Sequence, residues 1–173
     1  MIGPGLLLKW TQKQGYKTEL VLSEKKGLKI VARIKLAPLD RYQDIYETAV
    51  EVTDLNYGNH LGNDALVGII HRARVHFLHR LGASENDLGD GKTGILLADL
   101  IVNYKEESFL FDRLSVESSI GEVRSKGFRI FHKITAEQGR LIALAETGIV
   151  AFNYQKRKVT RIPESFVSNI TKF

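Results

Sequence analysis

From Leu61 to Leu81 the residues Leu66, Ile69, Ile70, Ala73, Phe77 and Leu81 recur at helical spacing, and Gly82 follows directly. That period predicts one long helix, and glycine is the residue that best tolerates the left-handed turn on which helices end. Val67, Val75 and Leu78 widen the apolar stripe and leave Arg72, His76 and His79 on a narrow polar face. A helix with so little polar surface is expected to be wrapped on most sides.

Around this helix the pattern is that of strands. Tyr42–Val52 precedes it, and Gly94–Lys105, Arg113–Val123, Gly127–Ala136 and Leu141–Tyr154 follow, separated by turns such as Glu137-Gln138-Gly139. Ile95–Val102 is apolar on both alternating faces, which predicts a central strand, whereas Arg113–Ile120 alternates like a strand with one wet face. Pro163–Phe173 reads as a short terminal helix or tail. The implied fold class is α+β: an antiparallel curved sheet wrapped around one long central helix.

With 173 residues, 43% of them apolar, the chain can build one sizeable core. It has no cysteine, which excludes disulfides, zinc ribbons and thiol nucleophiles; no metal site and no cofactor is expected. His71, His76 and His79 do not share a helical face, so they do not suggest a metal cage. No apolar run approaches the roughly 20 residues of a membrane span, and no secretory pattern opens the chain, so the expected location is the cytoplasm.

The net charge of +5 is unevenly placed. Residues 1–35 carry eight Lys/Arg against Glu19 and Glu24, while the remainder is close to neutral. A near-neutral body gives no basic face for phosphate tracking, so nucleic acid is not an expected partner. Residues 1–35 therefore stand apart as a basic extension with two readings. One is a poorly docked arm; the other is that translation begins at Val31. The domain proper is placed at residues 36–173.

Three stretches resemble a known family: Val52-Thr53-Asp54-Leu55-Asn56-Tyr57-Gly58-Asn59-His60-Leu61-Gly62-Asn63, then His71 to Gly82, and the strand ending Val102-Asn103-Tyr104 with Asp112 after it. They resemble the hotdog-fold thioesterases of the 4-hydroxybenzoyl-CoA thioesterase type, over roughly residues 42–163. Asp54 and Asn56 are also similar in spacing to the plant acyl-carrier thioesterases. The resemblance implies a homodimer or homotetramer with sites at subunit interfaces, acting on acyl-CoA or acyl-carrier protein in lipid metabolism. It implies that Asp54 is nucleophile or general base, with backbone amides near Leu61 and Gly62 polarising the thioester carbonyl. Two departures stand out. His71 occupies a helix position where many relatives carry Glu, and Glu107 and Phe111-Asp112 replace a usual Pro and Gly-Asp.

Chemically, a thioester needs a nucleophile or activated water and a place for negative charge on oxygen, because a thiol leaves without a strong acid. Asp54 and a helix N-terminus supply both, the other reading of Asp54 being a turn or capping residue, since Asp-x-Asn is common in loops. Asn56 orients the parts, His60 binds substrate or holds the loop, and Asn63 caps the helix or orients water. His71 and Val67 are candidates for the acyl pocket. Arg124, Ser125 and Lys126 form a basic turn that either binds the nucleotide phosphates of coenzyme A or is simply solvated. Enoyl-thioester hydration and noncatalytic acyl-CoA binding are the competing functions.

Overall fold

The computed structural model describes residues 16–19 and 33–172, with side chains from Ile34 onward. In chain order the elements are β1 Tyr16–Glu19, β2 Arg33–Leu36, β3 Asp44–Ala49, α1 Asn63–Arg80, β4 Thr93–Tyr104, β5 Arg113–Arg124, β6 Gly127–Ala136, β7 Leu141–Asn153, β8 Lys158–Val159 and α2 Glu164–Lys172. The main sheet runs β3-β5-β6-β7-β4, antiparallel throughout, with β8 on the end of β7. β1 and β2 form a separate antiparallel pair. This is the α+β arrangement that the hydrophobic periods predict.

α1 lies against one face of the sheet, and its apolar stripe feeds two clusters. Leu66, Ile69, Ile70 and Ala73 pack with Val116, Ile134 and Ala145; Phe77, Leu78 and Leu81 pack with Phe128, Ile130 and Ile149. Phe166 of α2 closes the second cluster against Phe128, ring centroids 5.3 Å apart. Truncation of a fully buried phenylalanine such as Phe77 costs about 3–5 kcal/mol. The helix ends on Gly82, at φ 72°, whose amide donates to His79 while that of Ala83 donates to Leu78, satisfying two terminal carbonyls.

Between the two clusters runs a polar row. On β5 and β6 the pair Val116–Ile134 belongs to the first cluster, Ile120–Ile130 flanks the second, and Ser118–His132 lies between them. Ser118 Oγ is 2.9 Å from His132 Nδ1. His132 is 1% exposed; burial, helped by the positive charge of Arg74, pushes its pKa down to about 3. His132 Nε2 and the neighbouring Thr147 Oγ1 have no hydrogen-bond partner among the described residues.

Two expectations change. Among the described residues of one chain, Ile95–Val102 is not central: β4 makes strand pairing with β7 alone and forms the sheet edge, leaving Leu97 49% and Tyr104 47% exposed. Nor is α1 wrapped on most sides, since the sheet covers one side and Val67 and Val75 face outward. Of the basic extension, residues 16–19 and 33–35 fall among the described residues, as parts of β1 and β2; the rest, Val31 included, lies outside them. β2 is tied to the sheet by the buried Asn103, whose side chain donates to Ile34 O (3.0 Å) and accepts from Leu36 N–H (2.8 Å).

Candidate active site

The loop joining β3 to α1 is built from its own polar groups. Val52–Asp54 makes one turn of 3-10 helix in which Glu51 and Asp54 cap each other reciprocally, and Asp54 Oδ2 accepts the Glu51 amide at 2.9 Å. The chain then doubles back. Asn56 Oδ1 accepts the Gly58 amide (2.8 Å), Asn59 sits at φ 58° and donates to Asn56 O (3.0 Å), and Asn56 N–H donates to His60 O (2.9 Å). Gly58 is required by space, because a Cβ there would stand 2.8 Å from the His60 ring. His60 Nδ1 lies 3.3 Å from Leu61 O and 3.4 Å from Asn56 Nδ2.

This closure spends the two amides first expected to face a ligand. Leu61 N–H donates to Ser108 O and Gly62 N–H to Asp54 O, both at 2.8 Å. Gly62, not Asn63, is the N-cap, and Leu66 N–H makes the first intrahelical bond, to Gly62 O. The amides that α1 leaves without an intrahelical acceptor are those of Asn63, Asp64 and Ala65, one step further along. They hold the positive end of the helix dipole.

Beside that helix end opens a cleft of about 850 Å³. Asn56, His60 and Leu61 form one wall, Asn63 and Leu66 the helix side, and Tyr104 to Phe109 with Arg140 and Ile142 the remainder. Asn56, His60, Leu61 and Asn63 are thus brought together as the sequence suggests, while the Asp54 side chain lies beside the cleft without lining it.

The segment after β4 is the part that sequence reasoning missed. Glu107 Oε1 stands 3.6 Å from His60 Nε2. Arg140 fixes this segment: its Nη1 donates to Glu107 O and its Nη2 to Asp112 Oδ2 (2.7 Å). Asp112 also accepts from Ser108 Oγ and the Phe109 amide; these bonds and the Arg140 charge outweigh desolvation and hold its carboxyl below the usual range. The only sequence signal for Glu107 was its departure from the family pattern.

The remaining candidates lie elsewhere. His71 and Val67 do not line this cleft; the His71 side chain is 54% exposed, with Nε2 3.2 Å from Glu85, which also binds the buried Arg74 at 2.8 Å. Arg124, Ser125 and Lys126 line a second depression of about 590 Å³, together with Asp99 and Arg129, and Arg124 pairs with Glu122 at 2.9 Å. Beneath Arg129, burial pushes the Glu146 carboxyl up to about 7, although Arg129 touches it and bridges to Asp99. Among the described residues no three His, Asp or Glu side chains come together as a metal site, and no helix is long and apolar enough to cross a membrane.

One helix held against a five-strand antiparallel sheet, with its N-terminus opening on a cleft, defines the hotdog class. Residues 50–170 match the thioesterase-like superfamily, and the chain belongs to that family, whose reaction class is thioester hydrolysis. No curated protein matches the sequence. The fold is similar to that of a 1,4-dihydroxy-2-naphthoyl-CoA thioesterase from Synechocystis, at 21% identity and TM-score 0.67, over 75% of this chain and 96% of that one. It is similar to a gentisyl-coenzyme A thioesterase, BH1999, at 25% identity and TM-score 0.65, over 73% and 99%. A Staphylococcus aureus protein, SAV2348, solved in complex with CoA, matches at 20% identity and TM-score 0.70, over 79% and 87%.

Proposed function

We propose that this protein hydrolyses acyl thioesters of coenzyme A or acyl-carrier protein to the free acid and thiol, at the cleft beside the α1 N-terminus and as a homo-oligomer. The observation that carries the reading is the convergence on one cleft of Asn56, His60 and Asn63 with the start of a helix whose first-turn amides have no acceptor in the helix. Those amides, of Asn63 to Ala65, receive the oxygen of the tetrahedral intermediate. Asp54 serves as nucleophile or general base. One of its oxygens is taken by the Glu51 amide, and the other makes no hydrogen bond among the described residues.

β4 supports the oligomer. A long edge strand with apolar side chains on both faces and no lysine or proline is an aggregation hazard unless another strand covers it. Antiparallel pairing of two β4 edges brings the Thr93 end of one copy toward the Tyr104 end of the other. The basic turn Arg124-Ser125-Lys126, which shares its depression with Asp99, then approaches the neighbouring cleft and meets the phosphates of coenzyme A. The resemblance to CoA thioesterases favours coenzyme A over carrier protein as the thiol carrier.

The test is thiol release from a panel of aliphatic and aromatic acyl-CoA and acyl-carrier substrates, with Asp54→Asn and His60→Ala beside the wild type. Turnover by the wild type and a loss of at least about 100-fold in Asp54→Asn are expected. A wild type inert on the whole panel overturns the proposal.

A further inference from the structure

We propose that Glu107 is the positioning carboxylate for His60, and that the two together activate the water that completes hydrolysis. The inference rests on the thioesterase reading and narrows it, since Asp54 is then left with the nucleophile's part.

The geometry selects Glu107 for three reasons. It lines the same cleft as His60 and the helix start. Its carboxylate stands 3.6 Å from His60 Nε2 and has no other ion-pair or hydrogen-bond partner among the described residues, so nothing there competes for it. Its backbone is held in place: Arg140 bonds its carbonyl, and the next residue, Ser108, is 1% exposed, takes the Leu61 amide on its carbonyl and donates its hydroxyl to Asp112. The backbone is thereby fixed, and it keeps the 63% exposed carboxylate within reach of the cleft.

His60 is oriented to use it. Of the two groups near Nδ1, Asn56 Nδ2 at 3.4 Å is itself a donor and Leu61 O at 3.3 Å is an acceptor; with the Nδ1 proton given to Leu61 O, the Nε2 lone pair is left facing the cleft. A proton taken up by Nε2 arrives beside the Glu107 oxygen, so the imidazolium forms next to a fixed negative charge. Nε2 and the Glu107 carboxylate are then both acceptors, so across 3.6 Å they do not bond each other and instead share the attacking water, which donates to each.

The steps balance as follows. An Asp54 oxygen bonds to the thioester carbonyl carbon, the C–S bond breaks, and sulfur leaves with the electron pair as a thiolate that takes a proton from solvent, giving the thiol and an acyl–Asp54 anhydride. Nε2 of His60 then takes a proton from water as the water oxygen bonds to the acyl carbon. The bond from that carbon to Asp54 breaks, with its electron pair returning to the Asp54 carboxylate. His60 gives up the proton to solvent.

The experiment is pre-steady-state thiol release by wild type, Glu107→Gln, Glu107→Asp and His60→Ala, with intact-protein mass spectrometry of quenched samples. Glu107→Gln should lower kcat and KM together about tenfold, leaving kcat/KM within twofold, and should release a burst of one thiol per site while an acyl adduct accumulates. Glu107→Asp should recover part of the rate, and adding Glu107→Gln to His60→Ala should cost little more. A Glu107→Gln kcat within twofold of wild type overturns the assignment, as does a loss without burst or adduct. Either result leaves wild-type turnover, and with it the thioesterase reading, standing; an inert wild type removes both.

Discussion

The buried Ser118–His132 pair makes a quantitative prediction about acid stability. His132 titrates near 6.5 when unfolded and near 3 in the fold, where burial and the Arg74 charge oppose protonation. The folded protein keeps the ring neutral, so between those values the unfolded state binds the extra proton. The contribution is therefore fully present above about pH 6.5 and is lost as pH falls toward about 3. Fully developed, it amounts to about 5 kcal/mol, and by about pH 5 roughly 2 kcal/mol is gone. Glu146 acts with the opposite sign: burial raises its carboxyl to about 7, so its contribution is full below about 4.5 and is lost as pH rises through about 7. The two oppose each other between about pH 5 and 6.5, and the wild type alone does not separate them. His132→Leu does, because Glu146 is common to both proteins. The substitution has a pH-independent cost from the unpartnered Ser118 hydroxyl, about 1–3 kcal/mol. Urea denaturation of wild type and variant at about pH 7.5 and about pH 5 should show the stability gap closing or reversing by roughly 2 kcal/mol at the lower pH. That is a relative midpoint shift of about 1 M for a slope near 2 kcal/mol/M. A gap constant within about 0.5 kcal/mol refutes the assignment of a neutral, buried His132.

Ile101→Lys on the β4 edge should convert the proposed homo-oligomer to monomer in light scattering coupled to size exclusion; an unchanged mass removes the edge-pairing argument. Phe111 is 79% exposed and sits at φ 71°, so Phe111→Gly should relieve a strained turn and raise stability by about 0.5–1 kcal/mol, read as a rise in Tm. A fall in Tm means that the ring makes contacts that offset the strain. Gly127→Ala should destabilise by about 1–3 kcal/mol, since its Cβ would meet Ile149 O at 2.4 Å on the neighbouring strand; a denaturation midpoint equal to wild type contradicts this close approach.

What the sequence makes legible follows the range of each interaction. α1 and β4 to β7 lie within two residues of their expected bounds because hydrophobic period and turn chemistry are local. The cluster Asn56, His60 and Asn63 is legible for the same reason: the loop makes most of its bonds to itself, and neighbours in sequence become neighbours in space. The choice of free amides is not local. Leu61 is consumed by Ser108, which reaches the loop from beyond β4, so the available donors move to Asn63–Ala65. Glu107 arrives on that same segment, and nothing in the spacing from Asp54 to Asn63 announces it. His71 and Val67 fail as cleft candidates because a helical period reports which residues share a face, and only the fold reports which face meets the cleft.

The two fold expectations that a single chain does not meet have a common origin. Ile95–Val102 reads as a central strand yet stands at an edge, and α1 reads as wrapped yet exposes Val67 and Val75. Each error has the same sign, with more apolar surface than one chain covers. A hydrophobic pattern is selected for burial in the working assembly, whereas the chain alone shows burial only against itself. β4 presents an unpaired ladder as well as exposed Leu96, Leu97 and Tyr104, and pairing with a second sheet answers both deficits at once. The open side of α1 lacks that second reason, since its backbone is satisfied within the helix and His71, Arg72 and His76 interrupt its valines. Edge pairing is therefore the contact on which an oligomer of this chain should depend most, and substitutions there should cost more assembly than substitutions at Val67 or Val75.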